Sequence, residues 1–166
     1  MPVNFEFKAR TNNIDVLEKK LLTLNPVYKG EDRQVDTYFN IETGRLKLRE
    51  GNIENALIYY DRKDDPRSKQ SNVLLYETTG GNRLKEILIQ VHGIKKIIAK
   101  SRKIYFIENV KFHFDIVEGI GSFVEVEAID DSDAADIQKI KEQCNYYASF
   151  FGIKEEDYVS VSYSDM

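Results

Sequence analysis

The sequence holds a single cysteine, Cys144, no tryptophan and only three prolines among 166 residues. One cysteine cannot form an internal disulfide, and its place on the apolar face of a helical pattern marks a buried thiol rather than a nucleophile. Also missing are the CxxC and HExxH metal motifs, the GxxxxGK[ST] phosphate loop and the GxGxxG turn, which removes the commonest metal, protease and nucleotide signatures. No apolar run approaches bilayer length, and the opening MPVNFEFKAR lacks the apolar stretch of a secretory signal, so the expectation is a cytoplasmic protein without membrane contact. A net charge of −4 argues against DNA or general nucleic-acid binding, although 24 lysines and arginines leave room for a local basic cavity.

What is present is a chain of 42% hydrophobic and 31% charged residues, the size of one domain spanning 1–166. Its organising stretch is Lys111 to Glu127, KFHFDIVEGIGSFVEVE. Lys111, His113 and Asp115 alternate with Phe112, Phe114 and Ile116, so an apolar face and a polar face share one strand. Gly119 and Gly121 let the chain reverse, and Glu125 and Glu127 then leave the next strand on one face, roughly 7 Å apart. That spacing suits carboxylates around a hard cation. It suits a half-solvated hairpin equally well.

Other segments repeat the pattern. Val3, Phe5, Phe7 and Ala9 alternate with Asn4, Glu6, Lys8 and Arg10, and a helix is expected at 13–24 from Ile14, Leu17, Leu21 and Leu24, ended by Asn25-Pro26. Three strands should follow, over 34–40, 45–49 and 56–62, with Asp36, Lys47, Arg49 and Arg62 on their polar faces. Asp64–Ser71 reads as a charged loop broken by Pro66, from which Lys69 could reach back over the sheet. A strand at 72–78, a turn at Gly80-Gly81 and a helix at 83–92 come next, with His92 helping to cap the helix. Strands at 97–107, 111–117 and 122–129 follow, the first presenting Lys100 and Arg102 on one face. A closing helix is expected over 133–151, capped by Ser132 or Asp133, with Ile137, Ile140, Cys144, Tyr147 and Phe151 inward. The tail VSVSYSDM has no readable pattern. Strand, helix and three strands thus occur twice, an architectural duplication without a residue-level repeat.

Acids and bases are mixed on the polar faces, and the opposite faces are apolar enough to need covering. Antiparallel strands of this kind can curl shut around their charged side or lie open with salt bridges facing water. A charged lining would call for a ligand with matching needs, such as a polyphosphate with a divalent cation.

The segments NFEFKA at 4–9, LKLRE at 46–50, LIYYDR at 57–62, KSRKIYF at 100–106 and FDIVEGIGSFVEVE at 114–127 resemble, in order and spacing, the CYTH family of triphosphate tunnel metalloenzymes. The similarity covers nearly the whole chain and looks nearest to the class IV adenylyl cyclases. It implies an α+β fold, a closed antiparallel β-barrel with helices packed outside. The implied chemistry is a divalent-metal-dependent reaction on a triphosphate, with Mg²⁺ or Mn²⁺ as cofactor and ATP, inorganic triphosphate or thiamine triphosphate as the small-molecule partner. Class IV-like conversion of ATP to cyclic AMP and pyrophosphate leads; a triphosphatase and a non-catalytic polyanion or organic-phosphate binder are the other readings.

By the same resemblance, Glu6, Glu125 and Glu127 are metal ligands, with Asn4 standing where a further acid belongs. Lys8, Lys47, Arg49, Arg62, Lys69, Lys100, Arg102 and Lys111 hold phosphate, Lys111 replacing a more usual Arg. Asp115, Lys100 and Arg102 lie nearest the chemistry, Asp115 either accepting the nucleophile's proton or partnering a metal or lysine. His113 is expected as a hydrogen-bonded wall residue, and Tyr38, Tyr60 and Tyr105 as possible borders of a base. The chain is expected as a monomer or homodimer.

Overall fold

The computed structural model describes residues 3–62, 69–79 and 82–166; the side chains of Arg62, Lys69 and Asn82 lie outside that description, as do the expected loop from Asp64 to Ser68 and the Gly80-Gly81 turn. The chain runs β1 (Val3–Arg10), α1 (Ile14–Leu22), β2 (Val27–Phe39), β3 (Arg45–Gly51), β4 (Asn55–Arg62), β5 (Lys69–Glu77), α2 (Asn82–His92), β6 (Ile94–Ile107), β7 (Val110–Val117), β8 (Gly121–Asp130) and α3 (Ile137–Phe151). Short 3-10 turns at Glu155–Asp157 and Tyr163–Asp165 end it. All eight strands pair antiparallel in the order β1-β5-β4-β3-β2-β6-β7-β8, and β8 returns to β1 to close a barrel.

Closure follows from the alternation. Most strands have one face rich in groups that only water or other charges can satisfy and one that must be covered, and a closed ladder leaves no unpaired edge. The main apolar core lies outside the barrel. Phe5, Phe7, Phe112, Phe114, Val124 and Val126 turn outward from β1, β7 and β8 and meet Leu21 of α1 with Ile140, Cys144, Tyr147 and Phe151 of α3. A smaller cluster sets Leu88 of α2 against Phe39 and Leu48. Cys144 is buried with its thiol donating to the carbonyl of Phe5, and burial pushes its pKa up to about 12, so it is the packed, inert thiol that the sequence suggested.

The two halves of the chain do run strand, helix and three strands, and the ladder maps onto itself when β1–β4 exchange with β5–β8. Several boundaries differ from expectation, β6 among them, which starts at Ile94 rather than at position 97. Strand β2 begins at Val27, well before Gln34, because its pairing with the long β6 carries it through Gly30, where a bulge and a positive φ of 128° are accommodated. Strand β5 begins at Lys69, so this residue is a strand position paired with Glu6 of β1 and not part of the loop. Helix α3 begins at Ile137 because the Asp130 carboxylate gathers Ser132 and the Asp136 amide into a turn. Asp136, not Ser132 or Asp133, then caps the helix by accepting from the Lys139 amide.

Candidate active site

All eight strands turn one face to the barrel interior, around a cavity of about 340 Å³. Asn4, Glu6 and Lys8 enter it from β1, Tyr38 from β2, Lys47 and Arg49 from β3, Arg102 from β6, Lys111 and His113 from β7, and Glu125 and Glu127 from β8. Residues scattered from position 4 to position 127 therefore share one cavity. Lys100 is buried in the same wall, behind Asp36. Arg62 and Lys69 are placed by backbone only, on β4 and β5. Tyr38 and Tyr60 face the cavity, whereas Tyr105 points outward under α1, where its hydroxyl donates to Glu18. Its odd offset from Lys100 and Arg102 puts it on the other face of β6.

One wall is a lattice of ion pairs. Asp36, fully buried, accepts both nitrogens of a forked contact from Arg49 at 2.9 Å and a third bond from Lys100 at 2.7 Å, with Lys47 at 3.3 Å. Burial pushes its carboxyl up, but Arg49, Lys100 and Lys47 together hold it well below the usual range. Where several cations crowd one anion, the lysines yield most readily. Burial drives both down, Lys100 well below its ordinary value and Lys47 to about 8, since Asp36 only partly offsets burial and neighbouring arginines. Arg102 makes the same forked contact with Asp115 at 2.8 and 2.7 Å, and Tyr163 donates to that carboxylate at 2.8 Å. Burial raises Asp115, yet Arg102 outweighs it and takes the group to about 2.

The opposite wall lacks such closure. Glu6 and Glu127 are register partners on β1 and β8, and Glu127 is also opposite Lys111. The Asn4 amide donates to Glu127 Oε1 at 2.6 Å. His113 lies opposite Glu125, its Nδ1 3.7 Å from Oε1, beyond hydrogen-bond range, and neither ring nitrogen has a hydrogen-bond partner. An unmet polar group in the interior costs about 1–3 kcal/mol, so a wall of this kind is unfinished. Ligand atoms of His113, Glu125 and Glu127 come within 4.8 Å of one another. The two carboxylates titrate apart: burial, Glu6 and Glu125 push Glu127 up to about 7, whereas burial also raises Glu125 but the cationic Lys8 and Arg102 outweigh it and hold that group low. Burial first, then Arg102 and Lys111, bring His113 down to about 4, so its imidazole is neutral at pH 7.

Two parts of the site have no periodicity in sequence. Glu54, in the turn between β3 and β4, reaches into the cavity to Lys111 at 2.5 Å, Arg49 at 3.4 Å and Gln34 at 2.9 Å. Asp32 fixes that turn by accepting from the amides of Ile53 and Glu54, both at 2.9 Å. The tail forms the other part: Tyr163 enters the barrel interior, 3.7 Å from ring centre to Lys8 Nζ, while Asp165 is clasped by Arg45 at 2.7 Å and Lys95 at 3.1 Å. Nothing in VSVSYSDM marks this role except that Tyr163 is its one large side chain.

The model of the CYTH domain matches residues 3–163. The chain belongs to the CYTH family. A search of curated proteins finds no match. Among solved structures, this CYTH domain is similar to the PH1012 protein of Pyrococcus horikoshii, with 24% identity over 98% of both chains and a TM-score of 0.85. It is similar too to a Vibrio parahaemolyticus protein provisionally called an adenylate cyclase, with 19% identity over 98% of this chain and 95% of the other and a TM-score of 0.79. A Hippeastrum protein provisionally assigned as an adenylyl cyclase, described as having a dominant triphosphatase activity, shares 13% identity over 98% of this chain and 93% of its own, with a TM-score of 0.64. At these identities the likeness establishes the fold.

Proposed function

We propose that this CYTH domain is a divalent-metal-dependent enzyme that acts on a triphosphate group held in the barrel. The observation that carries the proposal is the meeting of crowded carboxylates and an unbonded imidazole on one side of the barrel cavity with lysines and arginines on the other. The donor set of Glu6, Glu125 and Glu127 suits Mg²⁺ or Mn²⁺, which would shield phosphate charge and polarise the attacked phosphorus. Because the described lining carries nearly as many carboxylates as cations, with Asp36 and Asp115 close behind, the protein alone offers a polyanion little net attraction. Productive binding should therefore require the metal.

Lys8, Lys47, Arg49 and Lys111 then bind phosphate oxygens, with Arg62 and Lys69 joining them from β4 and β5 by resemblance to the family. On arrival, phosphate takes the place of the Glu54 carboxylate on Lys111 and Arg49. Arg102 and Lys100 stabilise charge from behind, each oriented by its buried aspartate. With its pKa near 2 and its oxygens engaged by Arg102 and Tyr163, Asp115 serves in this reading to position Arg102, not to take a proton.

The leading reaction is the class IV-like one, attack of the ribose 3′-hydroxyl of ATP on the α-phosphorus with departure of pyrophosphate. The apolar strip of Ile53, Ile58, Val73 and Leu75 along the cavity supports it, since a base needs such a surface. Hydrolysis at the terminal phosphorus uses the same cradle, and the Hippeastrum relative supports it. Incubating the purified protein with ATP, thiamine triphosphate and inorganic triphosphate under Mg²⁺ and Mn²⁺ separates them. Cyclic AMP from ATP identifies the cyclase, orthophosphate the triphosphatase, and binding without turnover a polyanion module.

A further inference from the structure

His113 is placed on β7 between Phe112 and Phe114, which lock the strand against α3, so its ring has one side to turn to, the cavity. It is 2% exposed, and both nitrogens are without a hydrogen-bond partner, although Glu125 and Glu127 carry ligand atoms within 4.8 Å. A wall residue kept for packing would be expected to bond its nitrogens to a carbonyl or carboxylate, as buried histidines do. Here the nearest carboxylate oxygen stops at 3.7 Å, a separation that suits two ligands of one ion better than a donor and its acceptor. Asn4 completes the arrangement. Its amide engages one oxygen of Glu127 at 2.6 Å, fixing the carboxylate and leaving the second oxygen for the cavity.

Resting on the reading that the barrel is a metal site, we propose that His113 joins Glu125 and Glu127 as a direct ligand of the ion, and that this nitrogen selects a transition metal of the Mn²⁺ class over Mg²⁺. Mg²⁺ holds to oxygen donors and gives up its water reluctantly, whereas first-row transition ions accept imidazole together with carboxylates. An all-carboxylate wall would leave the choice open; one imidazole settles it.

The test is pulsed electron paramagnetic resonance on the tag-free full chain with Mn²⁺ alone, without nucleotide. A ¹⁴N coupling to bound Mn²⁺ is expected, absent in H113Q, with Mn²⁺ affinity lowered about tenfold and Mg²⁺ affinity lowered less than about twofold. The wild-type coupling is read without any variant, so a folding defect in H113Q cannot mask it, and H113N supplies a second substitution. Mn²⁺ bound without nitrogen coupling, or bound equally by H113Q, overturns the ligand assignment while triphosphate turnover can still stand. Nitrogen coupling in a protein that turns over no triphosphate supports the ligand and refutes the function. Failure to bind Mn²⁺ at all overturns the proposal.

Discussion

The two walls of the barrel are made from the same kinds of residue and finished in different ways. On the wall built from β2, β3 and β6, Arg49 meets the buried Asp36 of β2 in a forked contact, and Arg102 reaches across to the buried Asp115 of the adjoining β7 in another. On the wall of β1, β7 and β8, Glu6 and Glu127 face each other as like charges and His113 is left unmet. On the first wall the forked contacts hold Arg49 and Arg102 in place within the chain. On the second, Asn4 engages Glu127 and Glu54 engages Lys111, but the carboxylates of Glu6 and Glu127 crowd each other, a strain that a cation would relieve. Paired opposite charges make the scaffold, and the crowded carboxylates with the unbonded imidazole mark the candidate site.

The comparison would be broken most severely at the acidic wall. E125Q combined with E127Q should lower turnover by at least about a thousandfold, some 4 kcal/mol of transition-state stabilisation, while the melting temperature changes little, because relief of the crowding at Glu127 offsets loss of a Glu125 charge that its neighbours favour. Phosphate or cyclic AMP release and a thermal melt check both halves; full activity in the variant sinks the metal assignment. At the paired wall the effect should fall on stability. R102A strands Asp115 in the interior and should cost about 3–5 kcal/mol in urea unfolding, with a good part recovered in R102A/D115A. An R102A protein as stable as wild type would mean the fork contributes nothing structural.

Smaller effects sharpen the boundary between the walls. Removing the internal competitor with E54Q should lower the KM for triphosphate about fivefold, roughly 1 kcal/mol, with kcat changed little; an unchanged or raised KM would show that Glu54 aids binding instead. The least effect belongs to the tail clasp. Burial pushes Asp165 up, but hydrogen bonds from Arg45 and Lys95 outweigh it and set it at about 2. A lowered folded pKa stabilises above the unfolded value near 3.8, and the contribution is lost as pH falls through about 2. Screened by solvent, it should amount to less than about 1 kcal/mol, and D165N should flatten stability between pH 4 and 2 relative to wild type.

Much of the site was legible because it lies on strands. Glu6, Lys8, Lys47, Arg49, Lys100, Arg102, Lys111, Glu125 and Glu127 announce their shared faces by alternation, and the barrel puts all of them at one interior. Tyr105 shows the same rule from the other side, since one residue of offset sends it to the helix layer. Glu54, Asp32 and Tyr163 were not legible. They act from a turn, from a strand start that only pairing with β6 reveals, and from a tail, and none of these has a period to read.

By itself the sequence determined which side chains travel together, since successive residues of a strand must leave on opposite faces and the apolar face must find a cover. It also carried the twofold order of elements and the family resemblance. Tertiary structure alone decided which charges meet: that Arg102 finds Asp115 while His113 finds no hydrogen-bond partner depends on ladder register between strands distant in sequence. Register is a property of pairs of strands, and a shift of one residue would send every charge in a strand to the opposite face.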